Sequence, residues 1–356
     1  MKILYDYQVL MNQVSGASRA FCEVGKRIAD RDEIQFAYLF SENIFLKEIF
    51  GRYRPFLPNI EFKGKNFLNN KMQEFYCRRI ISANDYDVFH STGEGIYFKK
   101  NKSKPFVTTF HDMIPERFLN KSPRLKNRKT LTVIADRIVC VSENSRKELL
   151  EFYTDLNPDK VDVVYHGIDN NNIVYNENLY GEYILFVGVR TGYKNFLQAI
   201  NSIIPLLRQH CDLKIVCTGA TLSTEEIEFI SKHKLDGRII SVGYVSNNCL
   251  FSLYRHALLF IFPSLYEGFG IPILEAFVNE CPACVSETSC FPEIGGDAVS
   301  YFNPRREDSI LESVTKVLED RSFAKKLVIN GKERVKHFTW EKSAESMLSV
   351  YKKSLK

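Results

Sequence analysis

Short apolar runs rich in Val, Ile, Phe and Tyr recur along the whole chain, and the segments between them are long enough for helices. Runs that are apolar at nearly every position are typical of strands buried on both faces of a parallel sheet that helices cover. The runs fall into two series, so the sequence predicts two α/β lobes. The first series comprises residues 2–7, 34–40, 86–90, 105–110, 137–141 and 161–165, and the second comprises residues 183–188, 213–219, 238–243, 258–262, 282–285 and 298–301.

The chain length also indicates two domains. With 356 residues, the chain is about twice the usual size of one domain, which favours two separate cores. A polar, Asn-rich segment over 166–180 separates the two series and has the character of an interdomain linker. We therefore predict domains over 1–170 and 171–339. The amphipathic pattern at the C-terminus predicts a last helix over about 340–356 that packs back on the first domain.

Composition excludes several classes of protein. The hydrophobic fraction of 45% and the charged fraction of 26% are ordinary for a globular protein and exclude a fibrous or disordered chain. Neither a transmembrane segment nor a signal peptide is expected, because no apolar stretch is long enough. The nine cysteines are odd in number and lie mostly in apolar runs, which favours a reducing, cytoplasmic location. Residues 1–169 carry 27 basic and 22 acidic side chains, an excess that suggests an anionic partner on that side.

The segment 263–276 carries the strongest functional signal. An apolar run ends at Phe262, a loop with Gly268 and Gly270 follows, and Pro272 suits the first turn of a helix. Ligands of open parallel sheets bind beyond the carboxyl ends of the strands, where this loop lies. Glycines let the backbone approach a ligand, and the N–H groups at a helix N-terminus attract phosphates. The sequence therefore predicts a phosphate site at this turn.

Two carboxylates, Glu267 and Glu275, accompany this turn. Carboxylates repel phosphate but accept hydrogen bonds from sugar hydroxyls, so the pair favours a ligand that carries both groups. The alternative is that Glu267 caps the helix and Glu275 is a solvated surface charge. A second glycine-rich turn, over 186–195, supplies Arg190 and Lys194, which are suited to neutralise a diphosphate. The alternative for these cations is a solvated helix start.

Taken together, these segments resemble family 4 of the retaining glycosyltransferases, which have the GT-B fold. The resemblance covers nearly the whole chain and implies an α/β protein of two Rossmann-like lobes with a cleft between them. The domain over 1–170 would then lie on the acceptor side, and the domain over 171–339 would bind a nucleotide sugar. The matching segments are the Glu-x7-Glu run 267–275, the turn 188–195, the linker 166–169, residues 286–297 and, upstream, residues 15–19, 87–90 and 111–116.

The resemblance also implies a role for each matching residue. Glu267 would bind the transferred sugar, and Glu275 would hold the donor ribose. Arg190 and Lys194 would stabilise the departing diphosphate, and His111 would act near the transferred sugar, so Glu267, His111, Arg190 and Lys194 are the expected catalytic residues. The donor-binding residues would be Gly16, Arg190, Lys194, Tyr244, Val245, Glu267, Gly268, Phe269, Gly270, Ile271 and Glu275. Tyr244, Val245 and Tyr254 lie where the base of the donor would be expected, and aromatic packing in the core is an equally good interpretation.

Acceptor-side candidates carry a weaker signal and comprise His90, Arg117 and Arg124. His90 ends a predicted buried strand, so a hydrogen-bonded core histidine is the alternative. The stretch 117–129 has six basic and no acidic residues, which suits contact with anionic headgroups or a pyrophosphate-linked lipid acceptor. An exposed, solvated helix face is an equally good interpretation. Nucleic acid is not expected, because no binding motif accompanies the stretch. The Asp-Tyr-Asp sequence at 85–87 is interpreted as a solvated turn, and we expect no metal and no cofactor besides the donor substrate.

The sequence thus predicts a retaining, metal-independent glycosyltransferase that moves a hexose onto a glycan or lipid-linked oligosaccharide in surface polysaccharide synthesis. The stretches 187–195 and 111–116 resemble those of bacterial O-antigen or capsule mannosyltransferases, which favours GDP-mannose or a related GDP-sugar as donor. We expect a cytoplasmic location, with peripheral contact to the inner face of an anionic membrane. The rival interpretations are a nucleotide-sugar epimerase or glycan phosphorylase of similar architecture, and a non-catalytic nucleotide-sugar-binding protein.

Overall fold

The computed structural model describes residues 1–100, 103–119, 122–169 and 175–356. These residues divide into two compact units, one formed by 1–167 with 340–356 and the other by 168–339. The sequence pattern placed the boundary between residues 170 and 171, which lies outside the described residues. Each unit is a parallel six-stranded sheet with helices, so the predicted α/β class with two Rossmann-like lobes is confirmed.

The first unit contains a sheet of order β2-β1-β3-β4-β5-β6. Each strand lies in one of the first six apolar runs or overlaps it closely. The strands are β1 Lys2–Tyr5, β2 Glu33–Phe36, β3 Val88–Ser91, β4 Phe106–Phe110, β5 Arg137–Cys140 and β6 Val161–Val163, and the helices are α1 Gly16–Ala29, α2 Ile44–Phe50, α3 Lys65–Ala83, α4 Ile114–Phe118, α5 Pro123–Ile134, α6 Glu143–Phe152 and, from the C-terminus, α15 Trp340–Ser354.

The second unit has a sheet of order β12-β11-β10-β7-β8-β9. Its strands are β7 Tyr183–Phe186, β8 Lys214–Cys217, β9 Ile239–Ser241, β10 Leu259–Phe262, β11 Ala283–Ser286 and β12 Ser300–Phe302, and its helices are α7 Phe196–Ser202, α8 Ile204–Gln209, α9 Thr224–His233, α10 Asn247–His256, α11 Ile271–Val278, α12 Phe291–Gly295, α13 Glu307–Glu319 and α14 Arg321–Arg334.

Strand order reverses once in the second unit, and this reversal positions the candidate site. From β7 the chain adds β8 and β9 on one side, returns to pair β10 with β7, and continues outward through β11 and β12. The connections after β7 and β10 therefore leave the same sheet edge and diverge to opposite sides. A crevice opens at such a point, which is where open α/β sheets bind ligands.

The C-terminal helix belongs to the core of the first unit. Its apolar residues Trp340, Ala344, Met347 and Leu348 are buried in one cluster with residues of β1 and α1. Farther along the same helix, the hydroxyl of Tyr351 is hydrogen bonded to Tyr5 at 2.8 Å. The helix thus completes a core that the first 167 residues leave uncovered.

Candidate active site

The loops after β7 and β10 are joined by a backbone hydrogen bond. Leu265 N donates to the carbonyl of Tyr193 at 2.7 Å. Tyr193 lies in the short turn Gly192–Lys194, and Leu265 lies in the loop between β10 and α11. This bond brings into one site two segments that lie far apart in sequence, since Lys194 and Glu267 are separated by 73 positions.

Lys194 and Glu267 form an ion pair within this site. Lys194 Nζ lies 2.5 Å from Glu267 Oε1, and Ser264 Oγ donates to the same oxygen at 2.8 Å. The two charged side chains are only 17% and 14% exposed, so their attraction is screened less than that of a surface pair. The second oxygen, Glu267 Oε2, has no hydrogen-bond partner in the part of the chain that the structure describes, and it is available to a ligand.

The loop around Glu267 is held by two residues of the segment 286–297, to which the sequence analysis gave no individual role. The backbone N–H of Glu267 donates to Ser289 Oγ at 3.2 Å. The Cys290 thiol donates to the carbonyls of Glu267 and Phe269 at 3.3 and 3.1 Å. Burial raises the pKa of the Cys290 thiol, which keeps it protonated as a donor. No local motif marks Ser289 or Cys290 as partners of this loop.

Gly270 allows the loop to turn into α11. Its φ of +96° is in the left-handed region, and a Cβ there would approach the Phe291 ring to 3.2 Å, so both backbone and space favour glycine. Pro272 lies in the first turn, and no side chain caps the helix. Backbone N–H groups at such an end, together with the helix dipole, suit an anionic ligand.

Glu275 lies on α11 and is buried, which excludes the alternative of a solvated surface charge. One carboxylate oxygen accepts a hydrogen bond from the Tyr254 hydroxyl at 3.1 Å. Burial, together with the nearby carboxylate, raises the pKa of Tyr254, so the phenol remains a donor. The predicted contact of Glu275 with a donor ribose stays a prediction.

Arg190 forms its ion pair with Glu226 and not with Glu267. Its Nε donates to Glu226 at 2.7 Å, and its terminal nitrogens donate to the carbonyls of Thr218, Ala220 and Thr221. The side chains of Arg190 and Glu226 are only 3% and 6% exposed. The guanidinium therefore holds the loop between β8 and α9, and sequence reasoning missed this structural use because nothing local links Arg190 to Glu226. A contact of Arg190 with diphosphate stays a prediction.

The structure places Tyr244 and Val245 in the loop between β9 and α10. The Tyr244 side chain is exposed, which excludes the core-packing reading for this residue. Gly243, which precedes it, accepts a hydrogen bond from Gly219 N at 2.9 Å. Gly219 itself has a φ of +102°, and a Cβ there would lie 2.7 Å from the Gly188 carbonyl oxygen. The turns after β7, β8 and β9 are thus closely packed, with Tyr244 available at their edge.

His111 and Gly16 lie beyond strand ends in the first unit. Gly16 is the first residue of α1, where Ser15 caps the helix by accepting from Ser18 N at 3.0 Å. The His111 ring stacks on His166 beside a small cavity of about 20 Å³. His111 Nε2 is buried without a hydrogen-bond partner among the described residues. Burial lowers the pKa of His111 to about 4, so the imidazole is neutral at physiological pH.

The structure places His90 in the core. The side chain is fully buried, with Nδ1 hydrogen bonded to the Tyr351 hydroxyl at 2.8 Å and Nε2 to Thr109 Oγ1 at 2.9 Å. Burial lowers its pKa to about 3. The core alternative therefore applies, and an acceptor contact by His90 is wrong because the ring cannot reach the surface.

Folding pairs the three arginines of the basic stretch 117–129 with carboxylates. Arg117 pairs with Glu148 at 2.6 Å, and Arg124 pairs with Glu94 at 2.5 Å. Arg128 is buried between Glu94 and Glu116. The carboxylate partners lie 12 to 34 residues away in sequence, whereas Lys126 and Lys129 of the same stretch are exposed. Contact of this stretch with anionic headgroups or a lipid acceptor stays a prediction. Lys121 lies outside the described residues, and the acceptor role of Arg117 and Arg124 stays a prediction.

Comparison with known proteins identifies the family. The model for glycosyl transferases group 1 matches residues 168–334, and the model for Glycosyltransferase Family 4 matches residues 14–172. The chain belongs to these group 1, family 4 glycosyltransferases. It is 24% identical to O-antigen chain mannosyltransferase B from Escherichia coli, over 99% of this chain and 100% of that protein. It is also 26% identical to the serotype-specific mannosyltransferase WbdA from E. coli, over 70% of this chain and 33% of that protein.

Solved structures confirm the GT-B glycosyltransferase fold. Anabaena HepE in complex with UDP and glucose superimposes with a TM-score of 0.77 at 16% identity and covers 98% of both chains. Sucrose-phosphate synthase from Thermosynechococcus elongatus superimposes with a TM-score of 0.76 at 16% identity and covers 99% of this chain and 98% of that chain. At this identity, the likeness establishes the fold alone.

Arg190→Ala is expected to destabilise the second unit strongly. The substitution leaves Glu226 buried without its cation, which typically costs about 3–5 kcal/mol of unfolding free energy. Lys194→Ala, which removes a more exposed cation from the same turn, is the matched control and is expected to cost less than Arg190→Ala, because its ion pair keeps more contact with water. Urea unfolding followed by circular dichroism measures both. Equal, small losses would contradict the structural role of Arg190.

Acid is expected to destabilise the first unit through its buried histidines. Burial lowers the pKa of His90, His111 and His166 to about 3, 4 and 3. Below about pH 6.5, the unfolded chain binds protons that the folded unit excludes, so the unfolding free energy falls by up to about 1.4 kcal/mol per pH unit per histidine. This stability is fully present above that pH and is lost progressively as pH falls toward the folded pKa values.

Fluorescence of Trp340, the sole tryptophan of the chain, reports urea unfolding of this unit at each pH. Its ring lies 6.1 Å from that of His166. His90→Gln is expected to lower by one the number of protons taken up on unfolding, and so to reduce the pH dependence of the unfolding free energy. His210→Gln, at an exposed position of the second unit, is the control. A His90→Gln protein with the wild-type slope would show that His90 does not exclude a proton on folding.

Proposed function

We propose that this glycosyltransferase transfers mannose from GDP-mannose, with retention of anomeric configuration and without a metal ion. The acceptor is a glycan or lipid-linked oligosaccharide of a surface polysaccharide, and the enzyme works in the cytoplasm at the inner face of an anionic membrane. One structural observation supports the reaction site above all. The cation of Lys194 and the carboxylate of Glu267 meet beside the uncapped N-terminus of α11, at the switch point of the sheet.

The choice of sugar is supported by the relatives. The E. coli protein that matches this chain over its full length is named an O-antigen chain mannosyltransferase, and WbdA is named a serotype-specific mannosyltransferase. Among solved structures, HepE binds UDP and glucose. A nucleotide sugar is therefore the expected donor class, and mannose is the sugar that the curated relatives favour.

The contacts of Lys194 and Glu267 suggest how they divide the donor between them. Lys194 carries three N–H donors and uses one of them to pair with Glu267, so it can also donate a hydrogen bond to a phosphate oxygen. Glu267 Oε2 can accept a hydrogen bond from a hydroxyl of the sugar. The α11 N-terminus adds backbone N–H groups for the diphosphate. In this proposal, Lys194 and the helix N-terminus bind the negatively charged diphosphate, and the carboxylate of Glu267 accepts a hydrogen bond from the neutral sugar.

The transfer step then proceeds in the crevice. The acceptor oxygen forms a bond to C1 of the sugar, while the bond from C1 to the diphosphate oxygen breaks. The proton of the acceptor hydroxyl passes to the departing diphosphate. Lys194 stabilises the negative charge that grows on the diphosphate, and this electrostatic term contributes most when the donors are already in place. We also propose that His111 is a catalytic residue.

A thermal-shift panel of UDP-, GDP- and ADP-sugars tests the donor. A ligand that binds the folded protein raises its apparent stability by mass action, so GDP-mannose is expected to give the largest shift at equal concentration. Adding EDTA is expected to leave this shift unchanged. A larger shift with a UDP-sugar would overturn GDP-mannose, and a shift that EDTA abolishes would overturn metal independence.

Glu267→Gln is expected to lower mannosyl transfer by a factor on the order of 10² while preserving the fold, since the amide donates where the carboxylate must accept. Glu280→Gln is the matched control. Glu280 follows the same helix but pairs with Arg255 and Lys332, so its rate is expected to be near wild type.

Product analysis by NMR separates the alternatives in the same assay. A retained α-linkage in the glycan supports the proposal. Conversion of the donor without an acceptor would indicate an epimerase, and a requirement for inorganic phosphate would indicate a phosphorylase. Donor binding without any turnover would indicate a non-catalytic binding protein. A Glu267→Gln enzyme as fast as wild type would remove this residue from the site.

A further inference from the structure

One face of α3 in the first unit exposes large apolar side chains. Phe67 and Phe75 are 68% and 64% exposed, and Leu68 is also exposed. The buried residues of this helix, Gln73 and Cys77 among them, lie on the opposite face. The Gln73 amide accepts from Leu39 N at 2.7 Å, and the Cys77 thiol donates to the Ala37 carbonyl at 2.7 Å. The fold therefore does not need the exposed phenylalanines for its core.

Cations share this apolar face. At about 100° per residue, the exposed side chains occupy an arc of about 120° on the helix. We name this surface the α3 face, and it consists of Phe67, Leu68, Lys71, Phe75, Arg78 and Arg79. Lys71 Nζ lies 5.8 Å from the Phe67 ring centroid, and the Arg79 guanidinium lies 5.9 Å from that of Phe75. Aromatic and basic side chains thus alternate along one surface.

The charge of this region is strongly positive. Residues 52–80 contain seven Lys or Arg residues and only two Glu residues. Arg78 and Arg79 form no ion pair within the described part of the chain, unlike Arg117, Arg124 and Arg128. Beside the helix, a groove of about 650 Å³ runs along Leu39, Met72 and Tyr76. On the α3 face, Lys71 pairs with Glu74 at 3.2 Å. Arg78 and Arg79 are therefore the cations of this face that are available to an external anionic partner.

We propose that the α3 face docks the enzyme on the surface of an anionic lipid bilayer. Phenylalanine rings and Leu68 insert at the boundary between headgroups and acyl chains, and Arg78 and Arg79 contact lipid phosphates. A second copy of the chain is a poorer occupant, because a symmetric contact would place these cations against the same cations. The inference deepens the membrane contact of the proposed function and assigns it to α3 rather than to 117–129. No helix among the described residues is long and apolar enough to cross a membrane.

Vesicle flotation of the full chain tests this proposal. Vesicles of phosphatidylglycerol with phosphatidylcholine are compared with vesicles of phosphatidylcholine alone, at low and high salt. Wild type is expected to bind the anionic vesicles preferentially. Phe67→Ser with Phe75→Ser is expected to weaken this binding about tenfold or more. Arg78→Gln with Arg79→Gln is expected to weaken binding to anionic vesicles and to reduce its dependence on salt.

Matched controls lie in the second unit. Leu179→Ser with Ile227→Ser removes two exposed apolar side chains, and Lys325→Gln with Lys326→Gln removes two exposed cations. Both controls are expected to bind vesicles like wild type, and circular dichroism checks that every variant is folded. The proposal is overturned if wild type ignores anionic lipid, or if the α3 variants bind as well as the controls.

Two further measurements separate this proposal from its rivals. Sedimentation velocity without lipid is expected to show no association that depends on Phe67 and Phe75, and such an association would identify the α3 face as a contact between copies instead. Glu267→Gln is expected to bind vesicles like wild type, and the α3 variants are expected to transfer sugar normally to a water-soluble acceptor. If the proposed transfer reaction is wrong, the vesicle-binding result is therefore unaffected. If vesicle binding is not observed, the transfer reaction can still be correct.

Discussion

The ion pair between Lys194 and Glu267 depends on the reversal of strand order between β7 and β10. Because these two strands are neighbours and their connections leave the same edge, one backbone hydrogen bond from Leu265 to Tyr193 suffices to join them. Everything proposed for the donor follows from this junction. The carboxylate, the cation and the helix N-terminus would not form one site if either loop followed a different strand.

Most of the fold could be predicted from the sequence, because buried parallel strands are apolar at nearly every position. Each of the twelve apolar runs contains or overlaps a strand, and glycines and Pro272 mark the turn into α11 as expected. The amphipathic helix at the C-terminus was equally readable from its spacing. The strand order could not be predicted, because the spacing of apolar residues does not indicate which strands pair with each other.

The side-chain partners could be predicted far less well, because they join residues that are distant in sequence. Arg190 has the residue type and position of a diphosphate ligand, yet Glu226 and three carbonyls occupy its guanidinium. The sequence of a basic stretch likewise does not show whether its cations are paired with carboxylates in the folded protein. Folding pairs the arginines of 117–129 and leaves Arg78 and Arg79 without carboxylate partners among the described residues. Only coordinates distinguish the two cases.

The most direct measurement of the central claim is a crystal structure of the enzyme with GDP-mannose, or with GDP-2-fluoromannose to prevent turnover. The account predicts a diphosphate oxygen within hydrogen-bond distance of Lys194 Nζ and a sugar hydroxyl donating to Glu267. A donor bound elsewhere, with Lys194 and Glu267 still paired only to each other, would contradict it.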